Sequence, residues 1–201
     1  MCNVRLIKHL GCKIIACTTT GLSKYRALLS ALKPRTLLIE EAAETLEGHV
    51  VAGMFDSLEQ LILVGDHKQL RAHTNIQALE EPPFSLNISM FERLVMNSVG
   101  YTMLNMQRRM IPDVRKLLCV PSKVFYKDLY DHPSVRDVVN RPPIPGMGNR
   151  SVYFFHHNWP DSRNLERSAV NVDEAEFVAY AFRHLVYNGT DPSKITVLTA
   201  S

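Results

Sequence analysis

Four short stretches of this chain place groups suited to phosphate and water chemistry at the ends of apolar runs. In the first, Thr36-Leu37-Leu38-Ile39 stops abruptly at Glu40-Glu41, followed by Ala42-Ala43-Glu44. A buried parallel strand delivers acids in this way to the carboxyl edge of a sheet, where α/β proteins place their ligands. Adjacent carboxylates there can hold a hydrated magnesium ion and polarise a water against a nucleoside triphosphate. A helix start is the plainer reading of the same pattern. In the second stretch, Leu61 to Val64 runs into Gly65-Asp66-His67-Lys68-Gln69-Leu70-Arg71. An amide such as that of Gln69 can donate to a γ-phosphate oxygen and accept from an attacking water. The alternative is a tight turn in which Asp66 caps the next helix.

The third stretch is Leu104-Asn105-Met106-Gln107-Arg108-Arg109-Met110-Ile111-Pro112. An arginine here can meet a phosphate bidentately, and the alternative is a solvated basic turn opening a helix at Pro112. The fourth is Thr18-Thr19-Thr20-Gly21 with Ser23-Lys24-Tyr25 behind it. Hydroxyls and backbone N–H groups at a helix start suit a phosphate of a nucleotide or of a nucleic-acid backbone, although a threonine-rich N-cap is common.

The elements that must position these groups alternate. Apolar runs at Ile14 to Cys17, Leu37 to Ile39, Leu61 to Val64, Val152 to Phe155 and Ile195 to Leu198 each end in small or polar residues and predict strands. A helix is predicted from Leu22 to Leu32, stopped by Pro34 because proline disfavours helix at the residue before it. A second is predicted over Asn171 to Asn188, with Ala175, Val178, Phe182, Leu185 and Val186 on one face. An Asn171/Glu174 capping pair starts it and Asn188-Gly189 ends it. Strand and helix in alternation mean an α/β fold, a mostly parallel sheet with helices on both faces. A second unit begins near Tyr101, and the proline- and glycine-rich stretch from Asp128 to Arg150 predicts a long surface loop inside it.

Composition sets wide bounds. The chain has 201 residues, 46% of them hydrophobic and 21% charged, as expected of a globular protein with a real core. A net charge of +3, from 23 basic and 20 acidic residues, is too mild to imply a nucleic-acid partner by itself. Cys2, Cys12, Cys17 and Cys119 show no C-x-x-C spacing, so neither a zinc site nor a disulfide framework is expected. Cys17, inside an apolar run, is expected in the core. No stretch has membrane-spanning length and no hydrophobic leader is evident, so an intracellular location, nucleus or cytoplasm, is expected and a membrane partner is not.

In this order and spacing the stretches resemble the Upf-type group of superfamily-1 helicases, motors built from two RecA-like domains. Within that group they are most similar to the zinc-finger-bearing NFX type. Thr18 to Gly21 with Lys24-Tyr25, Ile39 to Glu44, Gly65 to Arg71, Ser89 to Leu94 and Gln107 to Met110 carry the resemblance. Asp131 to Val135 and Ile195 to Thr199 also fit. The resemblance implies a P-loop NTPase-like fold, with residues 1–99 the later part of a first RecA-like domain and 100–201 the early part of a second. It implies ATP and magnesium as ligands. Glu41 is then the carboxylate activating the hydrolytic water, Glu40 holds magnesium through its water shell, and Gln69 senses the γ-phosphate. Asp66 and Gln107 join the nucleotide site, Arg109 reaches the phosphate from the second domain, and Thr18, Thr19 and Thr20 line the nucleic-acid track. The implied partner is RNA, with DNA as the alternative. Small-RNA silencing, heterochromatin and RNA-dependent RNA polymerase complexes are the implied settings.

Three positions depart from the wider pattern. Most of the superfamily has Asp-Glu where this chain has Glu40-Glu41, a difference the NFX type shares. Ala72 replaces a usual proline, and Arg108 stands where an aromatic residue or histidine is common. No G-x-x-x-x-G-K-[ST] phosphate loop occurs in the 201 residues, nor do the later arginine-bearing motifs. The expectation is therefore a helicase fragment without turnover by itself; the competing expectation is a degenerate module that binds nucleic acid or protein without hydrolysis.

Overall fold

The computed structural model describes residues 2–120, 125–163 and 169–199. The chain divides into two compact units, Met1–Thr102 and Met103–Ser201. In the first unit, helices α1 (Cys2–His9), α2 (Thr19–Lys24) and α3 (Arg26–Leu32) precede β1 (Thr36–Ile39). Next come α4 (Glu47–Ala52), β2 (Gln60–Leu63) and, after an irregular stretch, α5 (Met90–Met96). The second unit holds β3 (Met106–Gln107), α6 (Pro112–Leu117), β4 (Tyr130–Asp131), β5 (Ser162–Arg163), β6 (Ala169–Val170) and α7 (Val172–Tyr187).

β1 and β2 form the parallel pair that the apolar runs predict, in register from Thr36 opposite Gln60 to Ile39 opposite Leu63. Parallel strands need a crossover, and α4 supplies it. Buried Val50 from α4 and Met90 from α5 pack with Ile39 and Ala42, flanked by Leu37, Leu61, Leu63, Phe91 and Leu94. This small core sits directly beneath the acid-bearing ends of the strands.

The strand ends are locked together backbone to backbone. Val64 N–H donates to the Ile39 carbonyl at 2.9 Å, and its own carbonyl accepts from Ala42 N–H at 2.8 Å. Glu40 and Glu41 are thereby bulged out of the ladder between two bonds to one residue. Glu41 adopts φ +53°, a left-handed conformation that costs a non-glycine residue about 1–3 kcal/mol and persists only where its surroundings impose it. Ala42 is 0% and Ala43 3% exposed, because the chain at Gly65 lies against them. A Cβ on Gly65 would come within 2.9 Å of the Ala43 nitrogen and 3.0 Å of the Ala42 nitrogen. Small residues after the acids, and a glycine facing them, are what this approach requires.

Several expected elements differ. The run Ile14 to Cys17 is irregular; Ile14 is 88% exposed and Cys17 is exposed rather than in the core. Val152 to Phe155 and Ile195 to Leu198 are likewise not strands, and Leu198 is 91% exposed. Apolar, β-prone sequence becomes a strand only beside a neighbour that takes up its backbone groups, and none flanks these runs among the described residues. The helix expected over Leu22 to Leu32 is two helices broken at Tyr25, the second ending in left-handed Lys33 just before Pro34. β3 and β4 pair in parallel, but β5 and β6 are antiparallel, so the sheets are not uniformly parallel. The loop expected from Asp128 to Arg150 contains β4 and a 3₁₀ turn over Pro133–Val135.

α7 follows expectation closely. The Asn171 side chain accepts from Glu174 N–H at 2.9 Å, and Asn188 closes the helix. The Glu174 carboxylate, however, turns to His157 at 3.0 Å rather than back to the cap. His157 in turn stacks on Trp159 at 4.4 Å between ring centroids, and Phe155 stacks on Phe177 of α7 at 4.0 Å.

Gly65→Ala tests the locked strand ends. Its backbone is not left-handed, so only the lost approach distance opposes the methyl group. The substitution should destabilise the chain by about 1–3 kcal/mol, read as a lowered urea midpoint at unchanged slope; an unaltered midpoint would show that the turn yields freely.

Candidate nucleotide site

In the first unit the structure gathers the expected acid and amide groups around one open cleft of ≈ 210 Å³. Glu40, Glu41, Val64, Gly65, Asp66 and Gln69 line it. Glu40 and Glu41 are exposed there, set by the bulge above the parallel pair. The Glu41 carbonyl anchors the following turn, accepting from Glu44 N–H at 3.0 Å and from the Thr45 hydroxyl at 3.1 Å. The carboxylate of Glu41 therefore projects from a backbone held on both sides.

Asp66 organises the facing loop. Its Oδ1 accepts from Lys68 N–H at 3.0 Å, its Oδ2 from the Gln69 amide at 2.9 Å, and its carbonyl from Gln69 N–H at 3.1 Å. No helix follows, so Asp66 caps a turn rather than a helix. Arg71, at the far end of this loop, donates to Glu92 of α5 at 2.6 Å. The Glu92 side chain is 8% exposed, and buried Ser89 caps α5 by accepting from Glu92 N–H at 3.1 Å. Sequence reasoning missed this anchor. The Ser-x-x-Glu spacing of Ser89 and Glu92 is a capping-box signature that marks the helix start, but the diversion of the carboxylate to Arg71 is a tertiary event.

Magnesium in nucleotide sites takes one or two carboxylates, waters and phosphate oxygens rather than a full protein cage. The exposed Glu40-Glu41 pair beside Asp66 fits that sparse donor set. Among the described residues, no group of three or more His, Cys, Asp or Glu forms a protein cage.

Arg109 lies in the second unit and is exposed, after β3. Gln107, expected to contact the nucleotide, has both ends of its amide engaged by protein. Oε1 accepts from Arg109 N–H at 2.9 Å and Met110 N–H at 2.7 Å, and Nε2 donates to the Met110 carbonyl at 2.7 Å and to Asp131 at 2.8 Å. Its observed role is to shape the arginine loop. Asp131 is buried; Arg115 donates to both of its oxygens and holds its carboxyl below the ordinary value, with Gln107 and the Arg136 charge adding to the effect and desolvation opposing it. Thr18 caps α2, its Oγ1 accepting from Gly21 N–H at 3.1 Å. Thr18 and Thr20 are exposed and Thr19 is half-buried.

Comparison with known proteins now bears on this arrangement. Two family profiles, both described as AAA domains, match residues 9–75 and 86–200. The second alone spans more than half of the chain. The chain belongs to the Upf-type superfamily-1 helicases. This family is of the P-loop type, and its α/β character is the one seen in both units. Among the relatives is the helicase required for RNAi-mediated heterochromatin assembly 1 of Schizosaccharomyces pombe, 46% identical over 189 residues, which are 94% of this chain and 18% of that protein. The human NFX1-type zinc finger-containing protein 1 is 38% identical over 188 residues, 93% of this chain and 9% of that protein. The Caenorhabditis elegans regulator of nonsense transcripts 1 is 28% identical over 194 residues. The chain thus spans less than a fifth of the length of these helicase-family relatives. Among the described residues, no helix is long and apolar enough to cross a membrane.

Two measurements check the electrostatics of the site. Arg71→Ala leaves the Glu92 carboxylate buried without its cation and should cost about 1.5–3 kcal/mol. In a double-mutant cycle with Glu92→Ala, the paired change should cost less than the sum of the single ones; strict additivity would show the two groups to be uncoupled. Asp131 gives a pH signature. A carboxyl depressed on folding contributes its full stability above the ordinary value of about 3.9 and loses it as pH falls through the native value. Chain stability should therefore drop on acidification below about pH 4, and Asp131→Asn should flatten that drop.

Proposed function

We propose that the chain forms part of an ATP-driven motor acting on RNA, with DNA the alternative track. The observation that carries this reading is the convergence of Glu40, Glu41, Asp66 and Gln69 on one cleft at the carboxyl ends of two parallel strands. Glu41, on its bulged and anchored turn, is the base toward the attacking water. Glu40 would hold a hydrated magnesium ion, which would supply charge neutralisation at the phosphates. Gln69, oriented by Asp66, faces the γ-phosphate. Arg109, presented by the Gln107 loop, is the phosphate-binding arginine of the second unit. Binding and release of the triphosphate drive movement along the nucleic-acid strand. Thr18, Thr19 and Thr20 lie along that strand as backbone contacts.

The reading assigns residues 1–99 to the first RecA-like domain and 100–201 to the second. The name of the Schizosaccharomyces pombe relative, a helicase required for RNAi-mediated heterochromatin assembly, supports a role in RNA-directed silencing or heterochromatin, with the nucleus or the cytoplasm as the proposed location. A complex containing small-RNA machinery or an RNA-dependent RNA polymerase would suit that role.

RNA-stimulated ATPase activity tests the reading. The 201-residue chain, with no phosphate loop of its own, should show no turnover. A longer protein that joins this sequence to a phosphate loop should hydrolyse ATP, and Glu41→Gln should lower its rate about 10²-fold or more. Unchanged hydrolysis in that variant would remove Glu41 as the base.

A further inference from the structure

Gln107 controls the backbone that presents Arg109, and its amide works in only one of its two orientations. As observed, the oxygen faces the N–H groups of Arg109 and Met110, while the NH₂ faces the Met110 carbonyl and Asp131 Oδ1. Turned over, the NH₂ would meet two backbone donors and the oxygen would meet two acceptors. An ionised carboxylate accepts only, so Asp131 makes the reversed amide repulsive. The strand register brings the two side chains together, since β3 and β4 pair with Gln107 opposite Asp131. The His132 N–H donates to the Gln107 carbonyl at 3.0 Å, which fixes that register. Asp131 is held in turn by Arg115, whose Nε and Nη2 donate to its two oxygens at 3.2 Å each, with Arg136 farther out at 3.9 Å. From the other side, Arg141 Nη2 donates to the Arg109 carbonyl at 3.3 Å.

We infer that Asp131 is a positioning residue for Arg109, acting through the orientation of the Gln107 amide without touching the nucleotide. Its importance to turnover rests on the reading that Arg109 meets a phosphate; its control of the loop does not. Removing the carboxylate takes away one of the two acceptors that hold the amide NH₂ and so loosens the bonds its oxygen makes to the Arg109 and Met110 N–H groups. Asparagine in its place keeps one acceptor oxygen for Gln107 but sets an NH₂ against Arg115, so it restores the loop only in part.

Amide hydrogen exchange of the 201-residue chain, resolved by residue with NMR, reads the loop directly. In Asp131→Ala, Arg109 and Met110 should exchange about tenfold faster, while Leu118 and Asn188 at the ends of α6 and α7 change by less than about twofold. Asp131→Asn should fall between wild type and Asp131→Ala at the first two positions. Unchanged exchange at Arg109 and Met110 would overturn the inference, and so would an equal acceleration at Leu118 and Asn188, which marks a merely structural residue. In a longer protein that turns over, Arg109→Ala tests the phosphate reading separately, and unchanged ATPase there would overturn that reading while the exchange result still decides the role of Asp131. Where Arg109→Ala does slow turnover, Asp131→Ala should lower kcat with KM for ATP within about threefold; a wild-type kcat would overturn the inference.

Discussion

The approach of the Gly65 backbone to that of Ala42 and Ala43 is the constraint on which the candidate site depends. It brings two loops from two strands within van der Waals reach, with no side chain between them. The single residue Val64 then bonds to both Ile39 and Ala42, and the two glutamates between them have nowhere to go but outward. Their exposure, the left-handed turn at Glu41 and the cleft shared with Asp66 and Gln69 all follow from that one contact. The acids are placed by backbone geometry, which is stiffer than any arrangement of their own flexible side chains.

Each unit stabilises its candidate loop in a similar way. In the first, Arg71 of the glutamine loop ends on buried Glu92; in the second, the arginine loop ends, through Gln107, on buried Asp131 with Arg115. A carboxylate removed from water needs a cation or several donors to be tolerated. Both loops use that requirement to fix their backbones while leaving their outward groups to solvent. The cost of burying the charge is offset locally, and the gain is orientation.

What was legible in the sequence divides along the same line. The β1 and β2 runs, the acids at their ends and α7 with its Asn171 cap could be read because local pattern and tertiary environment agree there. Ile14 to Cys17, Val152 to Phe155 and Ile195 to Leu198 carry the same apolar pattern, yet pattern alone does not make a strand when no ladder partner lies alongside. The candidate residues Glu40, Glu41, Asp66 and Gln69 were recognisable as types at spacings, and the structure joins them. Gln107 was recognisable as well, but its engagement by Asp131 was not, since the two are 24 positions apart and meet only through strand pairing. Glu92 was hidden for the same reason: its helix-capping position was readable and its partner was not.

The aromatic stack at the start of α7 has a practical side. Trp159 is the only tryptophan in the chain, and it sits on His157 within a group of rings that includes Phe155 and Phe177. Its indole emission therefore belongs wholly to the second unit. Stacking on an imidazole makes that emission responsive to loss of the stack. Fluorescence excited where only indole absorbs follows the second unit by itself, whereas circular dichroism reports both units together. The protein thus carries a built-in optical label that separates the melting of one unit from the other without any added dye.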